Sequence, residues 1–279
     1  MTALTVPALA RHKVRDGAAP LVMVTAYDAP GARVADAAGV DLILVGDSVA
    51  MVVLGYDDPL QLRTEDIAYH VAAVRRAGPA ALVIGDLPWM SYHVSVEESV
   101  RNAALLVRAG ATCVKLEGGR KRLRMIRAIL DAEIPVMGHL GLTPQSTNAM
   151  GGFRVQAKDV DAARALVADA VALAEAGCCA IVLEGIPDVV ADLVTASIDV
   201  PTIGIGAGAG CDGQVLVFHD LLGFEDRVRP KFVRRYAELG AAATEAIARY
   251  AADVRTGAFP TDAETYHVSA EVADRLRDG

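Results

Sequence analysis

Eight short apolar runs recur along the chain: LVMVTAYD from residue 21, DLILVGDS from 41, ALVIGD from 81, CVKLEGG from 113, PVMGHLG from 135, AIVLEGI from 180, PTIGIGAG from 201 and QVLVFHD from 214. Their near-continuous apolar character suits strands of a parallel sheet covered on its outer side, where alternation with polar residues disappears. Between most of them lie stretches of helical period, such as EDIAYHVAAVRRAG from 65 and VEESVRNAALLVRAG from 96. Ser95 with Glu98 reads as a capping box at the start of the second. Gly39, Gly78, Gly110 and Gly177 each close a helix-like run just before the next strand, as a left-handed C-cap does. Eight such β-then-α units predict a closed (β/α)₈ barrel. The rival, an open doubly wound sheet, calls for a nucleotide fingerprint. GIGAGAG at 204–210 has glycine at every second position and so fails GxGxxG, and no GxxxxGK[ST] occurs.

CVKLEGG departs from the apolar pattern. Side chains alternate across a strand, so Cys113, Lys115 and Glu117 share one face and Val114 and Leu116 the other. For an isolated edge strand this would be a surface ion pair, worth ~0–1 kcal/mol. The other strands supply the context. Polar residues gather at the carboxyl ends: Asp28 after the first, Asp47 and Ser48 after the second, Asp86 at the third, Lys115 and Glu117 on the fourth, His139 on the fifth and Glu184 on the sixth. In a barrel these ends meet at one mouth, where barrel enzymes do their chemistry.

Composition sets the bounds. With 279 residues, 53% hydrophobic and 22% charged, the chain can bury roughly three quarters of its unfolded surface. The absence of a linker-like or low-complexity tract predicts one barrel domain over 1–279, with a short N-terminal extension and C-terminal helices. A net charge of −8 disfavours nucleic acid as partner. The basic run RKRLRMIR at 120–127 reads as a solvated helix face. Cys113, Cys178, Cys179 and Cys211 form no CxxC pair, which suits reduced thiols in cytoplasm. No run approaches the ~20 apolar residues of a membrane span.

Several buried carboxylates without counter-charge would raise their own pKa values and destabilise the fold. Lys115 offers one positive charge, and three or four acids remain. An all-oxygen donor set suits a hard divalent ion, Mg²⁺ first, which keeps waters and leaves room for a chelating substrate. Asp47, Asp86 and Glu117 are the candidate ligands. Asp28 reads as a helix cap and Ser48 alone as a turn residue; His139 is either a satisfied interior histidine or part of the site.

The ordered motifs TAYDA at 25, LVGDS at 44, DIAYH at 66, GDLPWMSY at 85, VKLEGG at 114, GHLGLTPQS at 138, LEGIP at 183, IGIGAG at 203, DGQVLVFHD at 212 and PKFV at 230 resemble those of the ketopantoate hydroxymethyltransferases. The resemblance runs from about residue 20 to about 260. It implies a phosphoenolpyruvate/pyruvate-type barrel, assembled as a homodecamer. The implied activity moves a one-carbon unit from 5,10-methylenetetrahydrofolate to 3-methyl-2-oxobutanoate through a Mg²⁺-stabilised enolate, forming 2-dehydropantoate for pantothenate synthesis. Carried over, Asp47, Asp86 and Glu117 match metal positions; Asp47, Ser48, Asp86 and Lys115 match keto-acid contacts; Glu184 matches the base. Being on a different strand from the metal acids, Glu184 is free to reach the substrate from the side, while Lys115 would pair with the substrate carboxylate or neutralise Glu117. Two stretches depart from the family pattern: DDPLQLR at 57–63 replaces a Ser-Thr-Leu-Pro-like segment, and Phe153-Arg154 stands where Tyr-Lys is common. The rival enzyme is a Mg²⁺-dependent keto-acid lyase or mutase on a similar barrel, which would turn over without folate. A non-catalytic binding barrel is the rival from another class.

Overall fold

In a computed structural model, which describes residues 4–224 and 230–278, the apolar runs form eight strands. They are β1 (Leu21–Thr25), β2 (Leu42–Val45), β3 (Leu82–Asp86), β4 (Cys113–Glu117), β5 (Val136–Gly141), β6 (Ala180–Glu184), β7 (Thr202–Ile205) and β8 (Gly213–Leu216). Each pairs in parallel with the next, and β8 pairs back to β1, closing the barrel. Residues 1–3, 225–229 and 279, which the expected 1–279 domain includes, lie outside the described residues. Among the described residues no helix is long and apolar enough to cross a membrane.

Two apolar layers result from strand parity. Val114 and Leu116 of β4 lie in the outer layer with Leu106, Ile126 and Ile129 from the surrounding helices. Cys113 lies in the inner layer with Leu42, Leu44, Leu82, Ile84, Met137, Val182 and Ile203. Full burial of each such Leu or Ile stabilises the fold by ~1.5–3 kcal/mol. The inner face of β4 therefore starts apolar at Cys113 and turns polar at Lys115 and Glu117, so those charges project into the barrel instead of outward as an edge-strand pair would.

The helix Val96–Ala109 illustrates how local signals set the connections. Ser95 accepts a hydrogen bond from the Glu98 amide (3.1 Å), and Gly110 ends the helix at φ 116°. The described contacts contain the Ser95 half of the expected capping box but not a return bond from Glu98. Glycine at 110 is also required sterically, since a Cβ there would lie 2.5 Å from Arg75 Cγ. Gly39, Gly78 and Gly177 likewise have positive φ. The basic run becomes a short 3₁₀ turn (Arg120–Arg122) and the helix Leu123–Asp131, whose Ile126 and Ile129 are buried.

The opposite end of the barrel is plugged. A short helix, Val6–Ala10, seats Leu9 against the inner layer. Beyond it the buried Lys13 ammonium donates to Asp212 (2.5 Å) and to the carbonyls of Thr195 and Val200. Asp212 also accepts from the amides of Val14 and Thr202, so its charge is fully engaged. The C-terminal part behaves differently: the 18-residue helix Leu239–Thr256 has no buried residue.

Removing one partner of a buried ion pair leaves a charge without compensation, at a cost of ~3–5 kcal/mol. Lys13→Ala should lower stability by about that amount in urea unfolding, yet leave turnover by the folded fraction unchanged, because the pair lies at the far end from the mouth.

Candidate active site

The carboxyl ends of the strands open into a cavity of ≈ 880 Å³. Its lining includes Asp47, Ser48, Asp86, Lys115, Glu117, His139 and Glu184, so the structure brings together every site residue read from the sequence, and His139 with them. Asp28 is not among the lining residues. It caps the helix Ala29–Ala37 by accepting from the Gly31 amide at 2.7 Å. Ser48 makes no cap bond; its hydroxyl lies 2.8 Å from that of Tyr27.

Strand register sets the neighbours. Asp86 is paired with Lys115 and Glu117 with His139 across adjacent strands. Lys115 Nζ donates to both oxygens of Asp86, at 2.6 and 2.7 Å, so its partner is Asp86, not Glu117. The Asp47 amide donates to Asp86 Oδ2 at 3.2 Å. His139 bridges the other two acids: Nδ1 lies 3.3 Å from Glu117 Oε1 and Nε2 lies 3.2 Å from Glu184 Oε2. These are ion-pair distances without hydrogen-bond alignment. At the end of β5, Gly141 adopts φ +94°, and a Cβ there would lie 2.2 Å from the Glu184 carbonyl oxygen.

Electrostatics follow from enclosure. Burial pushes Asp86 up to about 7; Lys115 opposes this, but Asp47 and Glu117 add to it, so the ion pair does not restore an ordinary carboxylate. Burial also raises Glu117, against the pull of His139. Burial disfavours the His139 imidazolium and so does Lys115, yet Glu117 and Glu184 outweigh both and lift it to about 9. Lys115 is held protonated, since the surrounding acids outweigh its desolvation. Glu184 is the most accessible of the group, with 15% of its side chain exposed.

Four carboxyl groups, Asp47, Asp86, Glu117 and Glu184, thus face two cationic groups, Lys115 and His139. The residues present fit a hard divalent ion. Carboxyl groups outnumber cations, the donors are oxygens, and Glu117 Oε1 is a buried oxygen without a hydrogen-bond partner. Among the described residues no group of three or more His, Cys, Asp and Glu forms a ready-made cage. A Mg²⁺ site built from one or two carboxylates, water and substrate does not require one.

Two residues that sequence reasoning passed over complete the floor. Gln145 donates through Nε2 to Asp47 Oδ2 (2.8 Å), and the hydroxyl of the buried Tyr92 donates to Gln145 Oε1 (2.7 Å). Both lie inside the quoted motifs, but as neutral groups they carry no charge signal. The outer cavity is more apolar, with Met51, Val52, Tyr56, Phe153, Val155 and Phe232. The departing segments reach it too: Asp57, Pro59, Phe153 and Arg154 are all in the lining.

A closed parallel barrel with its polar residues at the carboxyl ends of the strands makes the protein a (β/α)₈ barrel, the fold of solved members of the PEP mutase/isocitrate lyase superfamily. A solved 2,3-dimethylmalate lyase of that superfamily superposes with TM-score 0.56 at 16% identity, covering 98% of this chain and 95% of its own. A phosphonopyruvate hydrolase in complex with oxalate and Mg²⁺ gives 0.59 at 15%, covering 99% and 98%. Such identities establish the fold alone. The family model described as ketopantoate hydroxymethyltransferase matches residues 3–262. The 3-methyl-2-oxobutanoate hydroxymethyltransferase 2 of Bradyrhizobium diazoefficiens is 53% identical over 98% of this chain and 91% of its own length. The 3-methyl-2-oxobutanoate hydroxymethyltransferase of Syntrophobacter fumaroxidans is 52% identical over 98% and 96%. The chain belongs to the ketopantoate hydroxymethyltransferase family.

The perturbed groups fix the sign of a pH effect in chelator. Asp86, Glu117 and His139 all bind protons more tightly in the folded chain than in the unfolded one. Their contribution is therefore favourable at low pH and is lost as pH rises through about 7 for Asp86 and about 9 for His139. The melting temperature in chelator should fall on the order of 5 °C between pH ~5.5 and ~8.5, and excess Mg²⁺ at the higher pH should restore it.

Proposed function

We propose that this chain, as one barrel domain, transfers a hydroxymethyl group from 5,10-methylenetetrahydrofolate to 3-methyl-2-oxobutanoate, with Mg²⁺ held by Asp47, Asp86 and Glu117. The observation that carries the site assignment is the enclosed excess of carboxylates, with the partly exposed Glu184 beside it. Membership of the family supports the reaction.

The difficult step is removal of the carbon-3 proton, a weakly acidic C–H next to a ketone. A positioned base supplies typically ~10²–10⁴ in rate, short of the ~10⁶ or more that enzymes reach. When bound, the divalent ion supplies Lewis-acid stabilisation of the charge that develops on the keto oxygen. Glu184 takes the proton. It lies on β6, across β5 from Glu117, with the His139 ring between the two carboxylates. The imidazolium keeps Glu184 near the acid cluster while leaving it outside the ligand set.

Lys115 has three N–H groups, and Asp86 engages the ammonium from one side. A remaining donor pairs with the substrate carboxylate and fixes the plane in which the enolate forms. The Ser48 hydroxyl, held by Tyr27, is placed to contact the same keto acid. Overall, carbon 3 bonds to the methylene carbon of the folate and both C–N bonds of the methylene bridge break; water supplies the hydroxyl oxygen, and one water proton and the proton taken by Glu184 end on the two nitrogens of the departing tetrahydrofolate.

The volume of the cavity supports a second, larger ligand. At ≈ 880 Å³ it far exceeds what a small keto acid occupies, and drug-sized ligands take roughly 300–1,000 Å³. The apolar outer wall suits the aromatic part of a folate. Homo-oligomeric assembly, with a decamer as the expected form, is supported by the helix Leu239–Thr256: it exposes Ile247, Tyr250 and Val254, which an isolated chain leaves in water.

The decisive assay measures ketopantoate formation with and without methylenetetrahydrofolate, in Mg²⁺ and in chelator; turnover without folate would transfer the assignment to the lyase or mutase reading. Glu184→Gln should bind the keto acid in Mg²⁺ yet exchange its carbon-3 proton into deuterated water at least ~10²-fold more slowly. Undiminished exchange would rule Glu184 out as base. Light scattering should give a mass several times that of one chain, and a monomer would contradict the assembly.

A further inference from the structure

Gln145 belongs to the 3₁₀ turn Pro144–Ser146 that follows β5, and its side chain is buried beneath the acid cluster. Nε2 donates to Asp47 Oδ2 at 2.8 Å and to the Leu87 carbonyl at 3.0 Å. Oε1 accepts from the Tyr92 hydroxyl at 2.7 Å. The backbone amide of the same residue donates to Glu117 Oε2 at 3.1 Å. Tyr92 closes the circuit, for its oxygen accepts from the Glu117 amide at 3.2 Å.

This network permits only one arrangement of protons. Since the Tyr92 oxygen accepts from Glu117 N–H, its single hydrogen is left for Gln145 Oε1. With Oε1 so committed, the NH₂ group must face Asp47 and the Leu87 carbonyl, both acceptors. A flipped amide would set its carbonyl against a buried carboxylate and leave Tyr92 facing a donor. Every polar group of the Gln145 side chain is thereby used, and buried networks of this kind hold their members rigidly when complete.

From this geometry we infer that Gln145 is a positioning residue: it engages Oδ2 of Asp47 and Oε2 of Glu117, so that Oδ1 of Asp47 and Oε1 of Glu117 are the oxygens presented to the divalent ion. The inference rests on the reading of Asp47 and Glu117 as metal ligands. The oxygen left over on Glu117 is buried without an aligned hydrogen bond, 3.3 Å from His139 Nδ1, and the described contacts of Asp47 engage Oδ2, not Oδ1. Tyr92 acts one step further out, by fixing which way the amide points. Three separate connections, after β2, β3 and β5, are tied to β4 through one residue, by its side-chain and its backbone amide.

The test is Mn²⁺ affinity, read from the EPR signal of the free ion, with melting in chelator as a check of the fold. Gln145→Met keeps the backbone amide and the approximate volume but removes the donors to Asp47. It should weaken Mn²⁺ binding by ~10–100-fold, the usual effect of removing a group that orients a metal ligand. Its melting temperature in chelator should fall by only several °C, because the Tyr92 hydroxyl and the Leu87 carbonyl lose a buried partner while the fold is kept. Tyr92→Phe, which frees the amide to turn, should weaken binding in the same direction but less, and it stands in if Gln145→Met does not fold. Affinity within about twofold of wild type in folded Gln145→Met, or in Tyr92→Phe if that variant must stand in, would overturn the inference. Equal affinity in wild type and Asp47→Asn would instead overturn the metal assignment beneath it.

Discussion

Negative charge enclosed at low dielectric is the constraint around which the mouth of this barrel is arranged. Asp47, Asp86 and Glu117 are all buried there; Asp47 and Glu117 raise the cost of ionising Asp86, and Asp47 raises that of Glu117. Lys115 and His139 answer part of that charge: Lys115 is hydrogen-bonded to both oxygens of Asp86, and His139 lies at ion-pair distance from Glu117 and Glu184. The remainder is what makes the site receptive to a cation. A fully neutralised cluster would have been more stable and of no use in polarising a ketone.

The barrel itself was readable because its strands carry their message in parity. Once β4 is placed in a closed sheet, the sharing of one face by Cys113, Lys115 and Glu117 determines that the charges point inward, and the same parity places Asp86, His139 and Glu184. Glycines before strands were equally legible, because a positive φ excludes most other residues. Asp28 as a helix cap was readable for the same local reason.

What escaped the sequence was partner choice among polar groups far apart in the chain. Lys115 prefers Asp86, 29 residues away, over Glu117 two residues along its own strand. That choice depends on the stagger between β3 and β4, which no local pattern encodes. Gln145 and Tyr92 are neutral and lie in connections, so they show neither charge nor period. The Lys13–Asp212 pair was hidden for a third reason: 199 residues separate its members, and only barrel closure brings them together. The two ends of the barrel thus use buried ions to opposite purposes, satisfied at the plugged end and left partly unsatisfied at the open one.

Gly141 shows how a residue without a side chain can govern a reactive one. Its α-carbon passes so near the Glu184 carbonyl that a single added methyl would wedge the seam between β5 and β6 apart. His139 and Glu184 both ride on that seam, one strand each. A side chain at this position is therefore excluded by the contact of its very first atom, and the reach of Glu184, the proposed base, is set by an absence of atoms as firmly as by any bond.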